Sequence, residues 1–184
     1  MNFNKHWELR GKHAFLSASQ YHWLNYDTER LISVFQNWKA KERGTRIHEF
    51  ACEAISLGVK LSNSKRTLNR YVNDAIGFGM TPELILYYSD NCFGTADAIS
   101  YDGKQLRIHD LKTGKTQASF HQLEIYAALF CLEYNVNPED IDICLRIYQN
   151  DEIYETSPED ETIFSIMDTI VDFDKVIDSL RKEG

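Results

Sequence analysis

The stretch GTADAISYDGKQLRIHDLKTGKTQASFHQLEIY, residues 94–126, decides the fold. Two runs of alternating apolar and polar residues flank the pair Asp102-Gly103, and an Asp-Gly pair in that position is the strongest short-range signal of a β-hairpin. We therefore predict strands over residues 92–101 and 104–112, joined by a two-residue turn. Such a turn would place Tyr101 opposite Lys104.

One face of this hairpin is apolar near the turn and charged at its far end. With the predicted turn, Asp97 lies opposite Ile108, and Asp110 is its diagonal neighbour at about 7–8 Å. Lys112 lies two residues further along the same face, because side chains alternate along a strand. The sequence thus predicts two carboxylates and one amine at the same end of a sheet.

Two carboxylates that converge in a half-buried place raise each other's pKa unless a cation lies between them. Magnesium suits such a place, because it takes oxygen ligands and commonly uses one or two protein carboxylates together with water and phosphate. The neighbouring Lys112 can orient an attacking water or stabilise charge that develops on a phosphate. The hairpin therefore predicts a site for a divalent cation.

Three motifs in and after the hairpin resemble those of the RecB-type branch of the PD-(D/E)XK nucleases, which includes phage RecB-like and lambda-exonuclease-like proteins. They are G-x-x-D at residues 94–97, D-x-K at 110–112 and Q-x-x-x-Y at 122–126. The resemblance extends upstream to Gly44-Thr45-Arg46-Ile47-His48, where that branch often carries a metal-binding histidine, and to Leu16-Ser17-Ala18-Ser19.

The resemblance implies a deoxyribonuclease, an exonuclease of phage DNA recombination or repair, that hydrolyses phosphodiester bonds with Mg²⁺ or Mn²⁺. The residues carried over as catalytic are Asp97, Asp110 and Lys112. Those carried over as metal ligands are His48, Asp97, Asp110 and the backbone carbonyl of Leu111. The residues predicted to hold the DNA strand are Gln122, Tyr126, Lys115 and Arg46. Two alternatives stay open here: Lys115 as a solvated loop tip and Tyr126 as an ordinary core aromatic.

The order of predicted elements favours an α/β fold. Helical periodicity covers residues 27–57, with a break expected at Gly44, and the strand over 83–89 precedes the hairpin. A helix over 118–135, a fourth strand of about nine residues from Ile141 and a helix from Ser157 to Arg181 follow. This order predicts a restriction-endonuclease-like core in a single domain, residues 1–184: a mixed sheet of a three-strand meander and a fourth strand, flanked by helices.

The composition of the chain argues against a membrane-spanning protein and against cysteine-based metal or disulfide sites. No run approaches the roughly 18–20 apolar residues of a membrane span, so we predict a cytoplasmic protein, of a bacterial host if phage-encoded. The four cysteines are scattered, without a C-x-x-C pair, so neither a disulfide framework nor a zinc site is indicated. Some RecB-type relatives hold an iron–sulfur cluster on four cysteines, but this spacing is absent here and we expect no cluster.

Charge is unevenly distributed along the chain. The net charge is −8, but residues 1–116 carry 16 basic and 12 acidic side chains, whereas residues 117–184 carry 4 and 16. A DNA backbone can approach the basic part, although two ordinary solvated surfaces explain the same numbers equally well. Help from a homo-oligomer or a recombination partner protein is a further expectation. Two other functions stay open: a non-catalytic nucleic-acid-binding relative, and a protein-interaction module that uses the acidic C-terminal helix.

Overall fold

A computed structural model describes residues 14–183, which form two compact units, residues 14–45 and 46–183. A single domain over 1–184 stays a prediction. Two short 3₁₀ helices cover Ala18–Asn25 and Pro138–Asp140. The helices and strands are α1 (Thr28–Ser56), α2 (Thr67–Gly77), β1 (Thr81–Ser89), β2 (Cys92–Tyr101), β3 (Gln105–Leu111), α3 (His121–Tyr134), β4 (Asp142–Gln149), β5 (Glu152–Thr156) and α4 (Asp160–Glu183).

The strands form one mixed, open sheet in the order β1-β2-β3-β4-β5. The pairs β1–β2, β2–β3 and β4–β5 are antiparallel, whereas β3 and β4 are parallel. Helix α3 supplies the crossover that a parallel connection needs. The predicted α/β class, the mixed sheet, its three-strand meander and its fourth strand are therefore confirmed.

Each face of the sheet has its own apolar core. On the first face, Ile99, Leu106 and Ile108 pack with buried residues of α3 and with Ile163 of α4. On the second face, Ala98 and Leu111 pack with residues of α2 and of the C-terminal part of α1. Central strands covered on both sides explain why β4 is buried at six of its eight positions.

The predicted two-residue turn of the hairpin is wrong. Tyr101 pairs with Leu106 instead of Lys104, and three residues, 102–104, connect β2 with β3. The Asp102 carboxylate accepts hydrogen bonds from the backbone N–H groups of Lys104 and Gln105, at 2.9 and 2.8 Å. An aspartate that binds the backbone of its own turn stabilises this longer loop. The register shifts by two residues, so every side chain keeps its predicted face.

Two other predictions about elements are also wrong. Gly44 does not break α1, which runs without interruption from Thr28 to Ser56. A single glycine costs a helix only about 1 kcal/mol relative to alanine, and the good helix formers around it outweigh that cost. Strand β5 was not predicted. It follows a tight turn in which both Asn150 and Asp151 have positive φ, at 53° and 61°.

The helices that the structure describes lie within residues 14–183. None of them combines the length and the apolar character that a membrane-crossing helix requires.

Candidate metal centre

Three carboxylates lie side by side on three neighbouring strands. The register that pairs Pro82 with Ala98 and Leu84 with Ala96 places Glu83 beside Asp97. The register that pairs Ala98 with His109 places Asp110 on the other side of Asp97. Continued by one residue, this register puts Asp110 across from Asp97, at the position that the predicted two-residue turn gave to Ile108.

Asp97, in the middle of this row, is fixed by two contacts. Its Oδ2 accepts a hydrogen bond from the backbone N–H of Leu111 at 2.8 Å. The same oxygen lies 3.4 Å from Nδ1 of His48, which α1 presents to the sheet. A carboxylate held by a backbone donor and an imidazole has a defined orientation, which a metal ligand needs.

The pKa of His48 is raised, chiefly by its hydrogen bond with Asp97. Burial lowers the pKa of the imidazole, and the negative charges of Asp97, Asp110 and Glu83 raise it further. A proton on His48 therefore balances part of the negative charge of the row. A divalent cation can take over that role, since it binds the neutral imidazole and displaces the proton.

Glu83 completes a set of ligand atoms that the sequence analysis missed. Its carboxylate, a ring nitrogen of His48 and a carboxylate oxygen of Asp97 all lie within 4.8 Å of one another. Glu83 has a φ of 51°, which is strained for a residue other than glycine. The pKa of Glu83 is raised by partial desolvation and then by the charge of Asp97, and lowered by His48. The only signal in the sequence is an acid after Pro82 in an otherwise apolar strand.

Asp110 is the most buried acid of the row, with 2 % of its surface exposed. Burial, and then the charge of Asp97, raise its pKa to about 6, against the opposing influence of Lys112. The Lys112 ammonium donates to Oδ1 at 3.1 Å and lies 3.0 Å from Oδ2. Because Oδ2 accepts no well-aligned hydrogen bond within the described chain, it keeps a lone pair for a further cation.

Lys112 is held in place from the other side by α3. Its Nζ donates to Oε1 of Gln122 at 2.7 Å, and Nε2 of Gln122 donates to the hydroxyl of Tyr126 at 3.0 Å. The Tyr126 ring lies against Gly94, where a Cβ would come within 2.8 Å of Cε1 of that ring. The G-x-x-D, D-x-K and Q-x-x-x-Y motifs thus meet in one chain of contacts that ends on the lysine.

The structure brings six of the predicted site residues together: His48, Asp97, Asp110, Lys112, Gln122 and Tyr126. The Leu111 side chain is buried in the core of the second face, and its backbone N–H binds Asp97. Its carbonyl as a metal ligand stays a prediction. Lys115 is exposed on the loop between β3 and α3, and Arg46 is exposed two residues before His48. Their contacts with DNA also stay predictions.

The arrangement is chemically suited to a hard divalent cation. It offers carboxylate oxygens and one imidazole nitrogen, which Mg²⁺ and, with the nitrogen, Mn²⁺ accept. In the described part of the chain, Lys112 binds Asp110 and His48 lies against Asp97, so three carboxylates outnumber the neighbouring cations and the row keeps a net negative charge that a cation would neutralise. The chain was also compared with known proteins: no family model, curated protein or solved structure matches it.

Proposed function

We propose that the protein is a Mg²⁺- or Mn²⁺-dependent nuclease that hydrolyses phosphodiester bonds of DNA, with a restriction-endonuclease-like core of the RecB type. The observation that carries this proposal is the row of Glu83, Asp97 and Asp110 with Lys112 held at its end. Phosphodiester hydrolysis needs acids that bind a metal cation and a fixed amine that stabilises the charge developing on the phosphate.

The metal ligands in this proposal are His48, Glu83, Asp97 and Asp110. The bound ion would polarise the scissile phosphate and lower the pKa of a coordinated water. Asp97 binds the cation as a carboxylate, and the hydrogen bond from the backbone N–H of Leu111 holds its Oδ2 in place. His48 has to be neutral, so its bond to Asp97 makes metal binding release a proton.

Lys112 is the residue that acts on the reacting groups. Its ammonium is anchored by Asp110 and Gln122, and it can donate its remaining hydrogen to an attacking water or to a phosphate oxygen. Because both anchors are fixed before substrate arrives, the lysine loses little further side-chain freedom on binding. Gln122 and Tyr126 therefore serve to position the lysine, in addition to the predicted contact with the substrate strand.

The proposal is tested with the purified full chain and end-labelled DNA, both linear and circular. We expect cleavage with MgCl₂ or MnCl₂ and none in EDTA; loss of label from linear DNA, with circular DNA intact, identifies an exonuclease. Lys112→Ala should reduce the rate by about 10²–10³-fold, since it removes a charge that stabilises the transition state. A wild-type protein that cuts no DNA with either metal would refute the nuclease.

Metal binding is tested separately by titrating Mn²⁺ into the protein in a calorimeter. Glu83→Gln should weaken Mn²⁺ binding about tenfold or more, because a charged oxygen ligand becomes a neutral one. The matched control is Glu139→Gln, since Glu139 is an exposed acid in the 3₁₀ helix Pro138–Asp140. Equal Mn²⁺ affinity in both variants would remove Glu83 from the ligand set.

A further inference from the structure

A loop between β3 and α3, residues 113–119, connects two residues of the candidate metal centre. Lys112 precedes the loop and Gln122 follows it closely, and the two side chains are hydrogen-bonded at 2.7 Å. The loop therefore begins and ends at the site. It carries Thr113, Lys115 and Thr116, whose hydroxyl and ammonium groups are donors suited to phosphate oxygens.

One buried side chain of another strand holds this loop. Gln149, the last residue of β4, is 1 % exposed. Its Nε2 donates to the backbone carbonyls of Gly114 and Thr116, each at 2.7 Å. Its Oε1 accepts from the backbone N–H of Ala118 at 3.1 Å.

The three hydrogen bonds from the Gln149 side chain take the place of the regular backbone hydrogen bonds of a strand or helix. Between residues 14 and 183, no backbone-to-backbone hydrogen bond involves residues 113–119, so the Gln149 amide supplies the pairing that a strand or helix would give. An amide offers two donor hydrogens and an acceptor oxygen on one rigid group, which matches two carbonyls and one N–H. Neither glutamate nor methionine can make all three bonds.

We infer that Gln149 is a positioning residue that sets the conformation of the 113–119 loop for binding the DNA phosphate backbone. The inference rests on the proposed function, because it takes DNA as the substrate. Within residues 14–183, the hydrogen bonds of the Gln149 side chain all go to the loop and none to the acids of the row, so it acts through the loop. Asn150 adds a bond from Nδ2 to the carbonyl of Lys115 at 3.4 Å. The amine of Lys115 is thereby left to the substrate while its backbone is fixed.

The variant Gln149→Met keeps the length of the side chain and removes all three bonds. We expect KM for DNA to rise about tenfold with kcat unchanged, because the loop is disordered but the acids and Lys112 are not. Trypsin should cleave after Lys115 faster than in the wild type, since an ordered loop resists proteolysis. The matched control is Gln105→Met, at the start of β3, where the glutamine binds Arg107 and not the loop.

A second variant keeps the experiment decisive if Gln149→Met does not fold. Gln149→Glu retains the acceptor for Ala118 and loses the two donated bonds, so it should show the same rise in KM. Lys115→Ala should raise KM as well. In a double variant that combines Lys115→Ala with either Gln149 change, the rise in KM, expressed as a free energy, should be smaller than the sum of the two single effects. Additive effects, or KM and kcat changing together, would overturn the inference.

The affinity for a fluorescent DNA oligonucleotide, measured by anisotropy in EDTA, separates this inference from the nuclease proposal. A wild-type protein that binds DNA without cutting it refutes the nuclease, and a weaker affinity in Gln149→Met then still supports the loop's role. If the wild type cleaves DNA, and Gln149→Met changes neither the affinity for DNA nor the rate at which trypsin cleaves after Lys115, only the inference about Gln149 is overturned. A wild-type protein that does not bind DNA overturns both.

Discussion

His109 and Asp110 are consecutive residues of β3, and they point to opposite faces of the sheet. Both are buried, at 0 % and 2 % exposure, and each has one side-chain atom that forms no hydrogen bond with residues 14–183, Nε2 of His109 and Oδ2 of Asp110. The pKa of Asp110 is raised to about 6, whereas that of His109 is lowered to about 3. Burial is the largest cause in both cases.

The surroundings of the two residues differ in how their charges balance. Around His109, the Tyr148 hydroxyl lies 3.3 Å from Nδ1 and donates to Asp74 at 2.7 Å. Arg146 is paired with Asp74 and Glu155, so positive and negative groups on this face satisfy one another. The second arginine there, Arg107, stacks over the ring of Phe78, with 4.4 Å between the guanidinium carbon and the ring centroid.

Around Asp110 the charges do not balance. Within residues 14–183, the Lys112 ammonium binds Asp110, and His48, which is charged only when protonated, lies against Asp97, whereas the row has three carboxylates with Glu83. A buried polar group by itself therefore does not distinguish a binding site from a structural network. The excess of one sign of charge does, because the fold alone cannot neutralise it and a ligand can.

The largest difference between the faces should appear in catalysis. Asp110→Asn should lower the rate of DNA cleavage by about 10²–10³-fold, since it removes a charged ligand and the anchor of Lys112. His109→Gln, on the neighbouring residue, should leave the rate within about twofold of the wild type, because it touches none of the acids. Both variants are assayed on end-labelled linear DNA with MnCl₂. Equal losses would show that the two faces do not differ in function.

The pH dependence of stability should separate the faces next. The folded Asp110 holds its proton between about pH 4 and 6 while the unfolded carboxyl has lost it, so its contribution to stability falls as pH rises through this window. The folded His109 stays neutral from about pH 3 to 6.5 while the unfolded imidazole binds a proton, so its contribution rises with pH there. The two slopes oppose each other in the wild type.

In each single variant, the free energy of unfolding should show the pH dependence that the other residue causes. Relative to the wild type, Asp110→Asn should gain up to roughly 3 kcal/mol of unfolding free energy between pH 4 and 6, and His109→Gln should lose stability with rising pH. Urea unfolding at pH 4, 5 and 6 in EDTA measures both. Saturating Mn²⁺ should reduce the gain of Asp110→Asn, because the ion favours the ionised carboxylate of the wild type.

A smaller effect is expected where Gly94 meets Tyr126. Gly94→Ala would force its Cβ within 2.8 Å of Cε1 of the ring, and the displaced tyrosine would disturb Gln122 and then Lys112. We expect kcat to fall about tenfold, the factor that corresponds to about 1.4 kcal/mol in the barrier. Gly77→Ala is the control, because a Cβ there meets no atom within 4 Å. Wild-type kcat in Gly94→Ala would show that the ring adjusts without moving the lysine.

The smallest change is expected on the face of the sheet that carries His109 and Tyr148, where the charges are balanced. Tyr148→Phe removes the hydroxyl that joins Asp74 and His109, and the carboxylate and imidazole lose a partner. The free energy of unfolding should fall by about 1–2 kcal/mol, with the rate of DNA cleavage unchanged. Chemical denaturation and the end-label assay, run on the same preparation, check both parts. A loss of cleavage in a folded Tyr148→Phe would connect the two faces.

The hairpin shows how far the sequence analysis reached. The alternation around Asp102-Gly103 predicted both strands and assigned Asp97, Asp110 and Lys112 to one face. The turn was predicted too short, yet the faces were right, because a shift of two residues preserves the alternation. The predicted helix break at Gly44 failed for a different reason: one glycine is a weak signal inside a long helical stretch.

Periodicity and turn chemistry in the sequence determined the α/β order, the meander, the fourth strand and the shared face of Asp97, Asp110 and Lys112, because these depend on local spacing. Only the tertiary structure decided that Glu83 lies beside Asp97 and that Gln149 holds the 113–119 loop. It also decided that His109 faces balanced charges while Asp110 faces unbalanced ones. Those relations join residues that are distant along the chain, and the register and packing of the whole sheet fix them.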